Sequence, residues 1–297
     1  MSDKLRPTIG QVTFLICTRN RLSSLEQCLT AINRQAAEPN VRRSIVIVNN
    51  GEPDDETAIR TLCPDAVYAL EPRRGYSNAR NTALRYGLDQ TVADLFIFLD
   101  DDLIPDISLM KSHIATMEAF DADVTAGGLV GHKPKPEGAI LSKVATTNVG
   151  FRRWIAQDFK FCPEANLLGH EDHEFFGDIE RAGGKIVAAP GALVAENHPP
   201  GRQIDKHLMG RVSARNQINI VRRRHGFYRA LKTYLTLYAP RAPRGLLLSL
   251  LSLLMRCEKT RNTANENLSL HRGAIEGFSR PGLDREMAKR GVVVEVE

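Results

Sequence analysis

The chain has 297 residues, of which 42% are hydrophobic, and a formal net charge of +5 at pH 7. A chain of this length can bury a substantial core, as one large domain or as a domain with a sizeable appendage, and needs no disulfide staples. Its five cysteines are scattered without a CxxC pair, which argues against a zinc knuckle or a disulfide framework and predicts a reducing, cytoplasmic setting.

The apolar runs of the chain are short. The N-terminus has no apolar leader region, and the most apolar run, Leu246 to Met255, is about half the ~20 residues that cross a bilayer. We therefore expect no transmembrane segment.

Charge divides the chain into two parts. Residues 1–201 carry 21 Lys and Arg against 27 Asp and Glu, whereas residues 202–297 carry 19 against 8. This asymmetry predicts two parts with different roles, residues 1–201 and a basic region at 202–297.

The first 130 residues alternate between β-rich runs and segments of helical period, which predicts βαβ units and a mostly parallel sheet. The predicted elements, in chain order, are strand 12–17, helix 23–35, strand 44–48, helix 56–62, strand 66–70, helix 77–87 and strand 95–99. The first helix has an apolar face of Leu25, Cys28, Leu29 and Ile32.

The alternation stops after the apolar segment 123–130, where Gly, Pro and charged residues predict a loop. It resumes with a helix that carries Phe175, Phe176 and Ile179 on one side and ends at Gly183 and Gly184. A strand at 185–190 follows, and the sequence from Asp205 onward is helical and basic.

Polar residues follow each predicted strand, at the edge where an open parallel sheet binds ligands. Asp100, Asp101 and Asp102 in "FIFLDDDLIP" are the most informative, because adjacent carboxylates repel unless a cation or a proton compensates them. An acidic helix cap is the competing interpretation, since Pro105 lies just downstream. With the arginines and amides after the other strands, the triplet predicts a site for a nucleotide diphosphate and a divalent cation.

The order of these motifs resembles glycosyltransferase family 2, whose members have the GT-A fold. The similar segments are "FLICTRNRLSSLEQCLTAINRQ", "VIVNNGEPDDET", "RRGYSNARNTAL", "FIFLDDDLIP" and "GHEDHEFFGDIERAGGKIVAAPGALVAENH". The resemblance implies a Rossmann-like, mostly parallel sheet flanked by helices, here with a basic helical C-terminal extension. It also implies a hexosyltransferase-type enzyme of polysaccharide, glycolipid or glycosylated-metabolite synthesis, which transfers a sugar from a nucleotide diphosphate with inversion.

The resemblance also assigns roles to single residues. It implies Asp172 as the catalytic base and Asp102 as the ligand of Mg²⁺ or Mn²⁺, with His198 as a second ligand. Glu171 belongs to the ED pair on the acceptor side. Independently of the resemblance, the aromatic side chain of Trp154 suits an apolar platform for a sugar ring or acceptor, with a core aromatic as the alternative. The residues assigned to the nucleotide and its phosphates are Thr18, Asn20, Asn50, Arg80, Asn81, Asp100 and Asp101.

One departure from the family concerns the base of the donor. Where the family commonly has an acidic pair, this chain has Asn49 and Asn50, and an amide both donates and accepts hydrogen bonds. A UDP-sugar is the favoured donor and a carbohydrate or lipid-linked molecule the acceptor. Two alternatives remain: a sugar-nucleotide nucleotidyltransferase, although "CTRNR" lacks that class's glycine-rich loop, and a catalytically silent scaffold.

The basic C-terminal region has two interpretations. Its mixture of arginines and apolar stretches suits a helix lying on an anionic membrane, which would place the protein peripherally on the inner face of the cell membrane. An ordinary helical subdomain over the acceptor cleft is the alternative. Nucleic acid is not expected, because the basic stretches lack a recognisable pattern of interleaved stacking aromatics.

Overall fold

The computed structural model describes residues 8–142, 144–163, 170–197, 206–255 and 258–276. These residues form two compact units, a larger one within Met1–Pro163 and Asp172–Pro199 and a smaller one within Glu164–Glu171 and Pro200–Glu297. The predicted domain boundary after Gly201 falls outside the described residues and stays a prediction.

The helices and strands up to residue 197 follow a βα order in the first half and a mixed order after it. In chain order they are β1 Gln11–Thr18, α1 Leu22–Asn33, β2 Arg42–Asn49, α2 Glu56–Leu62, β3 Val67–Leu70, α3 Tyr76–Gln90, β4 Leu95–Asp100, β5 Leu103–Pro105, α4 Leu109–Ala119, β6 Val124–Leu129, β7 Asn148–Arg152, α5 Arg153–Asp158, α6 Glu171–Arg181 and β8 Ile186–Glu196. A short 3₁₀ turn, Pro53–Asp55, precedes α2.

Within the described ranges the strands form one eight-stranded sheet, in the order β3-β2-β1-β4-β7-β6-β8-β5. The pairs β3–β2, β2–β1, β1–β4 and β6–β8 are parallel, whereas β7 runs antiparallel to both of its neighbours and β5 runs antiparallel to β8. Because β1, β2 and β4 are neighbours and parallel, their carboxyl ends meet at one edge of the sheet.

Each face of the sheet is covered by a separate hydrophobic core. Side chains alternate along β4, so that Leu95, Ile97 and Leu99 belong to one core and Phe96 and Phe98 to the other. The first core includes the predicted inner face of α1, all of whose members are buried. The second includes buried residues of α3 and α6, among them Phe175, Phe176 and Ile179, as the sequence predicts.

Strand β7, like helix α4, is an element that the sequence analysis does not predict. It inserts between β4 and β6 and places Phe151 against Phe96 and Phe98, with ring centroids 5.8 Å and 5.4 Å apart. Gly150 interrupts its apolar pattern for a steric reason: a Cβ there would lie 2.8 Å from Thr125 Oγ1. The strand therefore carries a weak sequence signal although it lies at the centre of the sheet.

The described part of the smaller unit contains three helices, α7 Lys206–Leu237, α8 Arg241–Met255 and α9 Glu258–Glu276. Gly226 breaks the helical geometry inside α7, with φ 80° and ψ 174°. Ala214, Ile218, Ala230, Tyr238 and Ala274 form the core of this unit. Over the described ranges, no helix is both long and apolar enough to cross a membrane.

Candidate active site

The ends of three parallel strands bring the predicted polar residues together. In the register of the sheet, Thr18 at the end of β1 lies beside Asn49 at the end of β2, and Cys17 lies beside Asp100 at the end of β4. The Asn50 backbone N–H donates to the Thr18 carbonyl at 2.8 Å, which ties the first two strand ends together.

Arg21 contacts two residues of the aspartate triplet directly. Its Nη1 lies 3.1 Å from Asp101 Oδ1 and 3.1 Å from Asp102 Oδ2, and the side chains of both aspartates are less than one tenth exposed. Asp102 is also fixed through its backbone, since its carbonyl accepts from the Asn197 N–H at 2.8 Å. One guanidinium therefore forms ion pairs with two buried carboxylates.

Two members of the triplet, Asp100 and Asp101, are weaker acids than an ordinary aspartate. Desolvation raises the pKa of Asp100 to about 6, Arg80 opposes this increase, and Asp102 and Asp101 add to it. Burial likewise raises the pKa of Asp101, against the opposing effect of Arg21. Burial therefore makes the charged forms of these two carboxylates costly, and this environment favours a cation or a bound proton.

The donor atoms at this cluster are carboxylate oxygens, which suit Mg²⁺ or Mn²⁺. No group of three or more His, Cys, Asp or Glu side chains is arranged to enclose a metal ion within the described ranges. The residues therefore fit an ion that takes one or two protein carboxylates and completes its shell with oxygens from another molecule, as Mg²⁺ commonly does beside phosphates. His198, the predicted second ligand, lies outside the described residues.

Asp172 is held at its position by two residues from other elements. Arg80 Nη1 of α3 lies 2.9 Å from Asp172 Oδ1, and the Thr146 hydroxyl donates to the same oxygen at 3.0 Å. The Thr146 backbone N–H donates to Oδ2 at 3.2 Å. Thr146 and Arg80 are buried, with exposed fractions of 1% and 8%, so the carboxylate is oriented by groups that have little freedom to move.

Asn50 is placed at the strand ends, but its carboxamide is used inside the protein. Nδ2 donates to the Glu71 carbonyl at 2.6 Å and to the Arg73 carbonyl at 3.0 Å, and Oδ1 accepts from the Gly75 N–H at 2.9 Å. Asn49 is used similarly, since its Oδ1 accepts from the Gly51 N–H and its Nδ2 donates to the Glu52 carbonyl. These two amides stabilise the loops around the strand ends.

Glu71 stabilises the 71–75 loop, which also accepts hydrogen bonds from Asn50. Its carboxylate accepts from the Arg73 backbone N–H and guanidinium and from the Thr82 hydroxyl. The Arg73 hydrogen bond is the main reason that the pKa of Glu71 is lowered to about 2, against the effect of burial. The 71–75 loop is thereby held against α3.

The remaining predicted donor residues have different environments. Asn20 is exposed and has φ 53°, and its Oδ1 lies 2.3 Å from where a Cβ on Gly51 would be, so only glycine fits there. Asn81 supports the wall of the site: its Nδ2 donates to the Phe161 carbonyl and its Oδ1 accepts from the Phe161 N–H, both at 2.8 Å. Thr18 is buried, with 4% of its surface exposed.

The two residues predicted for the acceptor side lie on different elements. Glu171 is buried at the start of α6, directly before Asp172. Trp154 follows the end of β7 that pairs with the beginning of β4, and its Nε1 donates to Asp123 Oδ1 at 3.1 Å. It lies beside a cleft of about 520 Å³ with Arg152 and Arg153, away from the strand ends that hold the aspartates.

Three residues that organise the site, Arg21, Thr146 and Glu71, are not among the residues to which the sequence analysis gives a role. Arg21 is one of the arginines after the first predicted strand, for which the sequence indicates a phosphate contact rather than an ion pair with the aspartates. Thr146 carries no such signal, since it contacts Asp172 across 26 residues of chain.

The comparisons with known proteins agree on one family. A protein-family model described as Glycosyl transferase family 2 matches residues 13–171. Glycosyltransferase AglE from Haloferax volcanii is 25% identical over 170 residues, which is 56% of this chain and 54% of the relative. The chain thus spans about half the length of this curated relative.

Solved structures show the same fold. The mannosyltransferase PcManGT from Pyrobaculum calidifontis, in complex with GDP-Man and Mn²⁺, superposes with a TM-score of 0.59 and 16% identity over 91% of this chain and 87% of that chain. TarS 1–349 from S. aureus, in complex with UDP-GlcNAc, has a TM-score of 0.53 and 14% identity over 95% of this chain and 92% of that chain. At these identities the likeness shows the fold alone, and the predicted α/β fold of GT-A type is confirmed.

Proposed function

The chain belongs to glycosyltransferase family 2, and from that premise we propose that it transfers a sugar with inversion from a nucleotide diphosphate sugar to an acceptor hydroxyl. The observation that carries this proposal is the arrangement of Asp172, whose carboxylate is held by Arg80 and Thr146, while Arg80 also acts electrostatically on Asp100. A candidate base and the carboxylates at the donor side are thus linked through one arginine.

Asp172 acts as the general base in this proposal. Among the described contacts, Oδ1 already accepts two hydrogen bonds, from Arg80 and the Thr146 hydroxyl, whereas Oδ2 accepts one from the Thr146 N–H. A carboxylate oxygen accepts about two hydrogen bonds, so Oδ2 is the atom that takes the proton of the acceptor hydroxyl. The freed oxygen lone pair forms the new bond to the anomeric carbon, and the bond to the nucleoside diphosphate breaks with its electron pair on the leaving oxygen.

The strand ends form the donor side. Asp102 would hold a divalent cation, with Asp100 and Asp101 beside it and the donor phosphates supplying further oxygen ligands. When bound, the cation supplies Lewis-acid stabilisation of the negative charge on the departing diphosphate. Thr18 and Asn20 lie where the nucleoside would contact β1, and Arg80 contributes positive charge near the phosphates.

In this proposal the base of the donor is recognised by groups other than the Asn50 side chain. The amide of Asn50 is already hydrogen-bonded to the 71–75 loop. A UDP-sugar stays the favoured donor, with a carbohydrate or lipid-linked molecule as acceptor in a cytoplasmic setting. The structural neighbours were solved with GDP-Man and with UDP-GlcNAc, so both bases are appropriate probes.

Calorimetric titration with UDP, GDP and dTDP, with and without Mn²⁺, tests the donor site. We expect one nucleotide to bind only with the metal, and Asp102→Ala to abolish that binding. Asp89→Ala, which removes an exposed aspartate of α3, is the matched control and should bind normally. Failure of all three nucleotides, or unchanged binding by the Asp102→Ala protein, would contradict the donor site.

A further inference from the structure

The smaller unit contains a long stretch without acidic side chains. Between Asp205 and Glu258 the sequence has eleven Lys and Arg residues and no Asp or Glu. Over these 52 residues every formally charged side chain is therefore a cation. Such a segment produces a local positive field that attracts anionic surfaces.

Two aromatic side chains are exposed within this stretch, where α7 is broken at Gly226. Phe227 is 56% exposed and Tyr228 is 87% exposed, and their ring centroids are 6.2 Å apart. Ala230, later on the same helix, and Tyr238, directly after its end, are buried in the core of the unit. The helix thus has one side packed inward while the two rings project from the break.

Cations and leucines extend the exposed side of the same helix. Arg229 and Lys232 are exposed, and Leu235 and Leu237 are 54% and 47% exposed. Tyr228, Lys232 and Leu235 follow the i, i+4, i+7 spacing and share one face of the helix. We call Phe227, Tyr228, Arg229, Lys232 and Leu235 the aromatic-basic patch.

We propose that the aromatic-basic patch docks on an anionic lipid surface. Aromatic rings favour the boundary between head groups and acyl chains, cations interact with lipid phosphates, and leucines enter the apolar layer. The absence of acidic side chains across the segment removes the repulsion that an anionic membrane would otherwise meet. Exposed leucines distinguish this surface from one that binds single-stranded nucleic acid, where aromatic rings stack on bases and aliphatic side chains contribute little.

The patch belongs to the smaller unit and the strand-end residues to the larger one, and its test needs no sugar-transfer assay. The full chain is sedimented with vesicles of phosphatidylcholine alone or with about 30% phosphatidylglycerol. We expect binding to the anionic vesicles only, weaker at about 0.5 M than at about 0.05 M NaCl. The double variant Phe227→Ser/Tyr228→Ser should bind roughly tenfold more weakly, and Arg229→Gln/Lys232→Gln should lose the preference for anionic lipid.

The control variant Val92→Ser/Ile140→Ser removes two apolar side chains that are 67% and 70% exposed on the larger unit, and it should bind like the unchanged protein. Thermal unfolding of each variant shows whether it is folded before its binding is compared. Equal binding by the Phe227→Ser/Tyr228→Ser protein would overturn the proposal. So would binding of a single-stranded RNA oligonucleotide but not vesicles, or patch-dependent self-association in light scattering without vesicle binding.

Discussion

Arg80 and Asp172 form an ion pair of 2.9 Å that joins α3 to the start of α6. The Arg80 side chain is 9% exposed, and its guanidinium also lies over the rings of Tyr76 and Phe161. A cation packed between two rings and a carboxylate has few alternative rotamers. The pair therefore fixes the direction in which Asp172 presents its second oxygen.

Replacing Asp172 with asparagine should stop sugar transfer while donor binding persists. The amide keeps the shape of the side chain but cannot accept the proton of an acceptor hydroxyl, so we expect turnover to fall by about 10³-fold. Nucleotide release from a panel of UDP-, GDP- and dTDP-sugars measures turnover, and calorimetry measures binding. Asp178→Asn alters a carboxylate on the same helix that pairs with Arg181, and it should leave turnover unchanged. Undiminished turnover in the Asp172→Asn protein would remove Asp172 from the reaction.

Thr146 should affect turnover through its hydroxyl. Thr146→Val removes the 3.0 Å hydrogen bond to Asp172 Oδ1 but keeps the backbone donor, so the carboxylate is held less firmly. A hydrogen bond to a charged group contributes about 1.5–3 kcal/mol, and we expect kcat to fall roughly tenfold with little change in nucleotide affinity. Thr146→Ser restores the donor and should recover most of kcat. If the valine protein instead melts earlier and turns over normally, Thr146 has only a structural role.

Arg21 should stabilise the fold by countering Asp101 and Asp102. Arg21→Gln leaves two buried carboxylates without that guanidinium, and we expect the free energy of unfolding to fall by about 3 kcal/mol in the absence of metal. Mn²⁺ should restore more of the melting temperature to this variant than to the unchanged protein, because it offers the missing positive charge. Arg19→Gln is the neighbouring control. A variant that melts normally without metal would show that Arg21 is not needed to balance the triplet.

Asn50 should not tolerate replacement by aspartate. In Asn50→Asp a carboxylate oxygen would face the Glu71 and Arg73 carbonyls, which now accept hydrogen bonds from Nδ2. We expect a loss of about 2 kcal/mol in the free energy of unfolding, measured with urea. Asn40→Asp makes the same change at an exposed turn with φ 66°, which aspartate tolerates, and should be nearly neutral. A stable Asn50→Asp protein would mean that the loop can repack around the charge.

The sequence predicts the parallel strands of the first half of the chain well. The strands at 12–17, 44–48, 66–70 and 95–99 all lie within observed strands or overlap them closely, because parallel strands covered on both faces are continuous apolar runs. β7 is missed because Gly150 is required by the approach of Thr125 and His113, which is a tertiary constraint. In a short strand whose residues are selected by contacts with neighbouring elements, the alternation of apolar and polar residues is weak.

The site is predicted less completely than the fold, for a related reason. Parallel topology alone brings the strand-end residues together, so the position of the aspartates follows from the sequence. The hydrogen-bond partners of Asn50 do not, because they are backbone groups of a loop 21 to 25 residues away. Trp154 shows the same limit: its aromatic side chain predicts a platform for a sugar ring, whereas its position beside Asp123 depends on β7, which the sequence does not predict.

His113 should make the stability of the protein depend on pH. It is fully buried, its ring nitrogens contact Thr125 Oγ1 and Asn148 Oδ1 at 2.9 Å, and both partners are neutral. Burial lowers the pKa of His113 from 6.5 to about 4. Between those values the unfolded chain binds a proton that the folded protein does not, so stability should fall as the pH falls through this window.

Urea unfolding of the unchanged protein and of His113→Gln, at several pH values from about 7.5 to about 4, measures this contribution. Carboxylates that titrate elsewhere change the free energy of unfolding of both proteins equally. Their contribution therefore cancels when the two free energies are subtracted. We expect His113→Gln to be less stable near neutral pH, since it packs less well between Thr125 and Asn148. That deficit should shrink by up to about 3 kcal/mol as the pH approaches 4. A difference that stays constant with pH would mean that His113 titrates alike in the folded and unfolded chains, which its burial between two neutral partners argues against.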